Sequence, residues 1–554
     1  MVKNGGTAMK NKVFKKLTAV FLTVLMVVLV IPVSAESFCE VYYIDGVSGD
    51  NLNSGKTQSD AWKSTENLKT LELDKGDSVL FKRGGEYFCE LTLSLEGSED
   101  APITIGAYGD EDAPPPHLYT DNRAEVFRLF DCSYLTVENL EITAHNGGGI
   151  WIDAYNKMSV GITLRGLDMH DMQNFKVYGR DDFGNGAAAS RACVMVKGLP
   201  AKSRYAVNDL TITDCEMYDC GNGTIIFGSW NDEQNPWCEF EEIDPIYNEG
   251  VLIENVYYHD MDAEAAVIGI CDGALVTHCR SINCCQGEGT DENGKVLYYT
   301  AAMWFWGSEN STIEYTEIAG QKNVGDGMTV DFDSYSNNCT YQYIYSHDNV
   351  RFVCNNPFYD GHKNNTVRYC LSVNDNKGRN AIACRSEGEW GLKFYNNTIV
   401  NSDDFQLRNL YNSVFANNII TFKEGAYFIY DGDAVISKGN KFYNNCYFGC
   451  NKPLTDLFAY NINPGFSGTD ETDINSFTLS AASPLIGKGK VIEGAPDIDF
   501  FGNKITSNNV GCYGGNGTDT PYKRTFLICR ILNFFKYLLN RIKQDLIYLI
   551  NKYI

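Results

Sequence analysis

Basic residues are scarce in this sequence. Its 554 residues include 46 Lys and Arg against 71 Asp and Glu, which gives a formal net charge of −25. The bases gather at the ends, with five lysines in residues 1–35 and seven Lys or Arg in residues 522–554. Nucleic-acid binding depends on basic side chains that neutralise phosphates. The acidic body of the chain therefore argues against a nucleic-acid partner.

Proline is also rare, with 14 residues, whereas hydrophobic residues make up 44% of the chain. That hydrophobic share excludes wholesale disorder. Few prolines with many Gly, Tyr and Phe suit numerous short strands joined by polar turns. Because a single compact core normally stops growing well below this length, we expect several domains or one elongated architecture.

The sequence lacks the paired CxxC spacing of a structural zinc site. Its 19 cysteines are odd in number, and several, such as Cys271, Cys354 and Cys384, lie within apolar strand patterns. Cysteine in such a place often behaves as a small buried hydrophobic residue. The sequence therefore predicts no metal site from its cysteines and leaves their pairing open.

Residues 1–35 have the pattern of an export signal, with Met9 as the probable start. Lysines at 10–16 precede an apolar run over 17–31, and Val33-Ser34-Ala35 offers a small-residue cleavage site. A membrane anchor is the alternative, but the run is short and ends at Pro32. We expect a secreted or cell-surface protein.

One pattern recurs along the middle of the chain: an alternating strand, a polar turn and a second short apolar strand. The first strand of each copy lies at 134–142, 161–169, 209–217, 251–257, 274–282, 311–318, 339–345, 366–371, 392–399, 413–420 and 441–446. Spacings of this size are typical of solenoids, whose units cannot bury their apolar faces alone. Asn pairs at 396–397, 417–418 and 444–445 share one repeat position and predict stacked, hydrogen-bonded turns.

The two ends of this region resemble exported β-helix enzymes of the pectate-lyase-like superfamily. The segments that carry the resemblance are 42–50, 61–64, 76–84 and 101–109 at the start, and 483–487, 497–502 and 510–514 at the end. The resemblance implies an all-β, right-handed parallel β-helix solenoid. We assign 36–115 to its entry or cap and 116–515 to the β-helix, followed by a linker at 516–521.

Residues 522–554 predict a basic amphipathic α-helix. Apolar residues recur there at intervals of three and four, interspersed with Arg and Lys. Such a helix packs either on the solenoid or a partner, or against a membrane surface or anionic envelope polymer.

Outward side chains of consecutive second strands are expected to form one surface, because coils stack about 4.8 Å apart. In chain order they are Trp151, Asp153, Ile226, Ile268, Trp304, Trp306, Thr329, Asp331, Asp333, Arg351 and Arg385. Exposed Trp304 and Trp306 would offer apolar platforms for sugar rings. The alternative is that a loop covers them and that the charges form a solvated ladder.

The segment 325–334 supplies the candidate catalytic residues. Val330 and Phe332 would point inward, leaving Asp331 and Asp333 about 6.6–6.8 Å apart at Cα. Paired carboxylates serve glycoside hydrolysis, one as acid and the other as base or nucleophile. Asp326, at the turn into the strand, is a third candidate.

These residues predict a carbohydrate-active enzyme that acts on a plant or microbial polysaccharide, most simply a glycoside hydrolase without a cofactor. The same acids would instead bind Ca²⁺ in a uronate lyase, where Arg351 or Arg385 neutralises substrate. A non-catalytic glycan-binding solenoid is the remaining alternative. His347, followed by Asp348, is a weaker substrate-binding candidate, because other copies of the repeat carry His-Asp at the same turn.

The resemblance to particular subfamilies is partial. Pectate lyases continue the Trp151-Ile-Asp153 strand with His, where Ala154 stands here. Polygalacturonases combine four motifs, of which Asp403-Asp404 and Gly361-His362-Lys363 are only fragments. Pectin hydrolysis by that mechanism is therefore doubtful.

Overall fold

The computed structural model describes residues 39–172, 192–197, 205–229, 245–287, 300–322, 327–356, 363–375, 382–384, 391–407, 411–430, 439–450 and 455–518. The chain divides into two compact units, Met1–Glu40 and Val41–Ile554. The first is described only at Cys39 and Glu40, so the account below concerns the second. The predicted export signal and the predicted helix at 522–554 lie outside the described residues.

The described strands form three long parallel sheets that wind along a solenoid. Sheet 1 contains Val41–Ile44, Ser78–Lys82, Ile103–Tyr108, Leu135–Glu138, Ile162–Arg165, Thr211–Thr213, Leu252–Glu254, Leu275–Thr277, Thr312–Glu314, Thr340–Gln342, Thr366–Arg368, Lys393–Tyr395, Val414–Ala416 and Lys441–Tyr443. Sheet 2 contains Glu86–Phe88, His117–Thr120, Glu141–Ala144, Asp168–Met172, Glu216–Cys220, Tyr257–His259, Arg280–Ile282, Glu317–Ala319, Tyr345–His347, Leu371–Val373, Thr398–Ser402, Ile419–Phe422 and Cys446–Phe448. Sheet 3 contains Leu91–Leu93, Glu125–Phe130, Gly148–Asp153, Ala192–Lys197, Asn222–Phe227, Ala266–Gly269, Ala301–Trp306, Met328–Asp333, Arg351–Asn356 and Ile382–Cys384.

This arrangement confirms the predicted parallel β-helix. From Ser78 to Cys384 each coil contributes one strand to each sheet, and inward apolar residues of all three fill one continuous core. The entry segment already takes part, since Val41–Ile44 is the first strand of sheet 1. Short elements complete the described fold: strand pairs Ser159–Val160 with Val207–Asn208, Asn248–Glu249 with Cys271–Asp272, and Phe405–Leu407 with Phe428–Tyr430, and 3-10 helices Gln58–Asp60, Thr65–Lys69 and Ile474–Phe477.

A left-handed residue turns the chain from sheet 1 to sheet 2. Its φ is between +49° and +61° in eleven successive coils, at Asn139, Gly166, Asp214, Asn255, His278, Tyr315, Tyr343, Tyr369, Asn396, Asn417 and Asn444. Gly, Asn and Asp tolerate this conformation, whereas His and Tyr are strained in it. Ring stacking accompanies the strained corners: the ring centroids of His278 and Tyr315 are 5.1 Å apart, and those of Tyr315 and Tyr343 are 4.7 Å apart.

The predicted Asn pairs form a hydrogen-bonded ladder, as expected. The first member of each pair is the left-handed corner residue, and the second is buried inside the solenoid. Asn418 Oδ1 accepts from the backbone N of Asn397 at 2.9 Å, while its Nδ2 donates to Phe394 O and to Asn445 Oδ1, both at 2.9 Å. The ladder ends on Asp456, whose Oδ2 accepts from Asn445 Nδ2 at 2.8 Å.

We predict that Asn418→Ala lowers the free energy of unfolding by roughly 2–4 kcal/mol, because it leaves buried donors and acceptors of two neighbouring coils unpaired. Chemical denaturation of wild type and variant measures the change. Asn508→Ala, at an exposed position, is the matched control and should change it by less than about 0.5 kcal/mol. Equal effects of the two substitutions would contradict a structural role for the ladder.

Candidate functional site

The outer face of sheet 3 brings four of the predicted site residues together. Trp304 pairs with Asp331 across adjacent strands, and Asp331 pairs with Cys354 on the next strand. Trp306 and Asp333 lie two residues further along the same two strands. The parallel register therefore makes neighbours of residues that are 27 positions apart in the sequence.

Strands of sheet 3 do not alternate strictly. In Met328–Asp333, Met328 and Asp331 share the outer side, whereas Val330 and Phe332 belong to the inner core. Thr329 also points inward, since its hydroxyl contacts Ser346 Oγ at 2.7 Å inside the solenoid. Two consecutive inward residues thus follow the first outward one.

That pattern corrects three predicted outward positions. Ile226 and Ile268 belong to the inner core and are fully buried there, while their predecessors Ile225 and Val267 belong to the outer cluster. Thr329 is the third, for the reason given above. The extra inward residue shifts the alternation of inward and outward side chains by one position. The expected period of two residues did not include this shift.

The two tryptophans are not open platforms. Trp304 is 7% exposed and Trp306 is 2% exposed. Trp306 packs edge-on against Phe227 and Tyr335, with ring centroids 6.0 and 6.3 Å away. The expectation of exposed aromatic platforms was therefore wrong: this face is a covered, largely apolar surface.

The carboxylates stand on this covered surface with different access to solvent. Asp331 is 6% exposed, whereas Asp333 is partly exposed. Asp333 Oδ1 accepts from the backbone N of Ser334 at 2.7 Å and from its hydroxyl at 3.4 Å. These contacts orient Asp333 at the open end of the strand.

The strand of the two aspartates is held from within by Tyr341. The hydroxyl of Tyr341 donates to the backbone O of Asp331 at 2.5 Å. Its ring stacks on Phe305 at 5.1 Å and lies 4.3 Å from Phe332. Burial raises the pKa of Tyr341 well above its usual value, and the charge of Asp331 adds to the rise. The phenol therefore stays protonated as a donor.

A buried polar network supports the start of the same strand. Asn349 Nδ2 donates to Thr329 Oγ1 at 2.9 Å and to Ser346 Oγ at 3.1 Å. The backbone N of Asn349 donates to Asp375 Oδ1 at 3.0 Å, and Ser372 Oγ donates to Asp375 Oδ2 at 2.8 Å. Burial raises the pKa of Asp375 to about 6, although these hydrogen bonds oppose the rise. Sequence reasoning missed this network, because its members are single polar residues dispersed over three coils.

Arg351 is the first residue of the strand next to the one that carries the two aspartates. It pairs with Met328 and is 3% exposed. Its backbone N donates to Gly327 O at 3.1 Å, and its backbone O accepts from Thr329 Oγ1 at 3.2 Å. The register therefore places Arg351 on the same face as Asp331, one coil further on. Asp326 and Arg385 lie outside the described residues.

Asp153, at the far end of the same face, is paired. Its Oδ2 accepts from Arg128 Nη2 at 2.7 Å and Nε at 3.1 Å, and its Oδ1 accepts from Trp151 Nε1 at 2.8 Å. The guanidinium of Arg128 also lies 5.6 Å from the centroid of the Trp151 ring. With Asp153 only 1% exposed, this group is a closed structural cluster.

His347 lies on the outer face of sheet 2, not sheet 3. Its Nε2 is 3.2 Å from Glu317 Oε1, and its Nδ1 is 2.9 Å from Asp348 Oδ2. Asp348 has a φ of +57°, and Asp171 and Asp260, which follow the equivalent His170 and His259, have similar angles. The His-Asp motif thus marks a repeated turn.

The ion pairs of His347 predict a pH-dependent stability. Burial lowers the pKa of His347, but Glu317 and Asp348 outweigh that effect and raise it above its usual value. The stabilisation is therefore complete below about pH 6.5 and is lost as the pH rises through the pKa of the folded state. Between about pH 5 and about pH 9, the Tm difference between wild type and His347→Gln should be largest at the acidic end.

The control for this measurement is Asn508→Ala, at an exposed position. It removes no titratable group, so its effect on Tm should vary much less with pH. A His347→Gln difference that stays constant over the range would show that the two acids do not stabilise the protonated ring.

In the described part of the chain, no three or more His, Cys, Asp or Glu side chains are grouped so as to hold a metal ion. Nor does that part contain a helix of sufficient length and hydropathy to span a membrane.

Comparison with known proteins finds sequence similarity over most of the chain. No family model matches it. It is 26% identical to a lacto-N-biosidase of Bifidobacterium longum subsp. longum over an alignment of 576 residues. The alignment covers 84% of this chain and 36% of that protein. The chain thus spans little more than a third of the length of that curated relative.

Two solved structures align with most of this chain. A structure of XylC in complex with xylose aligns with a TM-score of 0.51 at 11% identity, over 86% of this chain and 98% of that one. A GH136 lacto-N-biosidase from Eubacterium ramulus aligns with a TM-score of 0.47 at 20% identity, over 76% of this chain and 66% of that one. The XylC likeness shows the fold.

Proposed function

We propose that this chain is a glycoside hydrolase that cleaves an oligosaccharide or polysaccharide on the outer face of sheet 3. The observation that carries the proposal is the pair of carboxylates, Asp331 and Asp333, on one strand of this face. Two acids on a largely apolar surface can serve acid–base chemistry.

The Bifidobacterium relative supports the hydrolase over the other candidates. Its similarity extends over 84% of this chain, and its name, lacto-N-biosidase, is that of a glycoside hydrolase. Oligosaccharides that contain lacto-N-biose are therefore the first substrates to test.

The reaction requires one carboxyl group that gives a proton to the glycosidic oxygen as its bond to the anomeric carbon breaks. The second carboxylate either attacks that carbon or takes a proton from the water that attacks it. Asp331 and Asp333 are the pair we assign to these roles, with Asp326 as a third candidate. Alternate residues of a strand lie about 6.6 Å apart at Cα, from which side-chain rotamers reach the spacing of either stereochemical course.

Other residues of this face would hold the sugar. Arg351 would donate hydrogen bonds to hydroxyl or carboxylate groups, and Arg385 is a second candidate for that role. A guanidinium beside two acids also suits a calcium-dependent lyase, in which it neutralises a uronate. This is the second candidate function.

Substituting the acids tests the assignment. We predict that Asp331→Asn and Asp333→Asn each lower kcat/KM by about 10²–10⁴-fold with little change in Tm, and Asp326→Asn tests the third carboxylate in the same way. Reducing ends released from a glycan panel measure turnover. Asp100→Asn, on an exposed turn, is the control and should keep full activity.

The same assay separates the candidate functions. Reducing ends without ultraviolet absorbance indicate hydrolysis, whereas both signals, lost with chelator, indicate a calcium lyase. Glycan binding without new ends would contradict any enzyme. With azide added to Asp331→Ala and Asp333→Ala, the anomeric configuration of the glycosyl azide shows which carboxylate is the nucleophile.

A further inference from the structure

The corner between sheets 2 and 3 changes from apolar to polar as the coils approach the strand of the two aspartates. The position that changes lies two residues after His347 and its equivalents in sheet 2. In four successive earlier coils its occupants are buried and apolar: Met172, Cys220, Met261 and Cys284. In the next three coils they are Gln321, Asn349 and Asp375, which are 1%, 0% and 2% exposed. We call these three residues the polar column.

Hydrogen bonds join the polar column from one coil to the next. The backbone N of Gln321 donates to Asn349 Oδ1 at 3.1 Å, and the backbone N of Asn349 donates to Asp375 Oδ1 at 3.0 Å. Burying polar side chains costs free energy that their hydrogen bonds only offset. Because apolar residues serve the same corner in the earlier coils, the fold alone does not explain why these three coils are polar.

The Asn349 side chain extends the polar column to the strand Met328–Asp333. Its Nδ2 donates to Thr329 Oγ1 at 2.9 Å, and also to Ser346 Oγ at 3.1 Å and Ile318 O at 3.0 Å. Thr329 Oγ1 in turn donates to the backbone O of Arg351 at 3.2 Å. One buried amide thus connects the strand of the two aspartates to the corner and, through Thr329, to the strand that follows.

Thr329 is polar at an inward position where neighbouring strands are not. From Glu125–Phe130 to Arg351–Asn356, its counterparts in the register of sheet 3 are Val126, Gly149, Cys193, Gly223, Ala265, Ala302 and Phe352. None of these seven residues carries a hydroxyl or an amide in its side chain. The hydroxyl and the amide that binds it therefore occur together, at the strand that carries Asp331 and Asp333.

We propose that the polar column fixes the position of this strand, and that Asn349 and Thr329 are positioning residues for cleavage. The part that concerns cleavage rests on the proposed function. Both side chains point into the solenoid, so they act through the strand and not on the substrate. Thr329 is held two residues before Asp331, whose own backbone O accepts from the Tyr341 hydroxyl at 2.5 Å. The strand is thus hydrogen-bonded from inside at two points next to the carboxylates.

Hydrogen bonds add a restraint that the apolar core does not supply. Val330 and Phe332 hold the strand by burial, which is not directional. A hydrogen bond prescribes both a distance and an angle. Because a displacement of about 1 Å at a catalytic group can lower the rate by about 10²-fold, a directional restraint beside the two carboxylates matters for kcat.

Thr329→Val tests the proposal, because valine keeps the branched shape and removes only the hydroxyl. Asn349 Nδ2 keeps its bonds to Ser346 and Ile318. We expect kcat to fall about tenfold or more with KM changed less than about twofold, and the amides of 328–333 to exchange faster with deuterium. Thr329→Ser, which restores the hydroxyl, should return kcat to within about threefold of wild type.

Thr224→Val is the matched control. Thr224 is also a fully buried inward residue of sheet 3, and its hydroxyl lies 3.0 Å from that of Tyr258. It belongs to the strand Asn222–Phe227, three strands before Met328–Asp333 in sheet 3. Its Tm should fall about as much as that of Thr329→Val, while its kcat stays within about twofold of wild type. An equal loss of kcat in both variants would overturn the positioning role.

A double variant tests the route from Asn349 to the strand. Asn349→Leu should lower kcat at least as much as Thr329→Val, and it should lower Tm more, because Gln321 N and Ser346 also lose a partner. Adding Thr329→Val to Asn349→Leu should then cause little further loss of kcat, since the shared bond is already broken. Losses that simply multiply would contradict a route through Thr329.

Hydrogen exchange separates this inference from the proposed function. If wild type cleaves a glycan and Thr329→Val keeps its kcat, the positioning role is wrong and the hydrolase stands. If wild type cleaves no glycan, the hydrolase is wrong and exchange decides the role of the polar column. Faster exchange at 328–333 in Thr329→Val, but not in Thr224→Val, would then support the column as the restraint on this strand. Unchanged exchange in Thr329→Val would overturn it.

Discussion

The rest of the structure depends on one constraint, the register fixed by a left-handed residue at the corner between sheets 1 and 2. Eleven successive coils place such a residue there. Where it is Asn, Asp or Gly, the conformation costs little; at Tyr315 and Tyr343 it costs about 1–2 kcal/mol each. The stacked rings, and the hydrogen bond from the Tyr343 hydroxyl to Ile498 O at 3.0 Å, offset that strain. Packing therefore holds the register even where backbone preference opposes it.

Register determines what the outer face of sheet 3 can do. A slip of one residue would turn Asp331 and Asp333 into the core and bring Val330 and Phe332 out, which the loss of buried apolar surface forbids. Tyr341 adds a second restraint, because its hydroxyl binds the backbone O of Asp331 from inside. The positions of the two carboxylates thus follow from the packing of the core.

The sequence was sufficient to predict the solenoid, but it predicted the candidate site less well. The alternating strands repeat in eleven copies and the Asn pairs in the last three, so chance agreement is small and the β-helix could be predicted. The orientation of Ile226 and Ile268 could not, because sheet 3 strands insert an extra inward residue that a period of two omits. Burial of Trp304 and Trp306 depends on groups outside the strand itself. The buried hydrogen-bond network of Asn349 and Asp375 left no recognisable pattern in the sequence, because its members come from different coils.

For the proposed reaction, the electrostatics of this face suit a neutral substrate better than a uronate. Asp331 is a buried acid, 6% exposed, and Asp333 adds a second carboxylate on the same strand. Arg351 is the described cation that the register places beside them. A uronate would add negative charge where water screens it poorly, so a lyase would need Ca²⁺ or Arg385 to restore balance. Hydrolysis of a neutral glycan needs neither Ca²⁺ nor Arg385, because one of the two carboxyl groups must be protonated to act and then carries no charge. The charge balance and the paired carboxylates therefore point to the same reaction class.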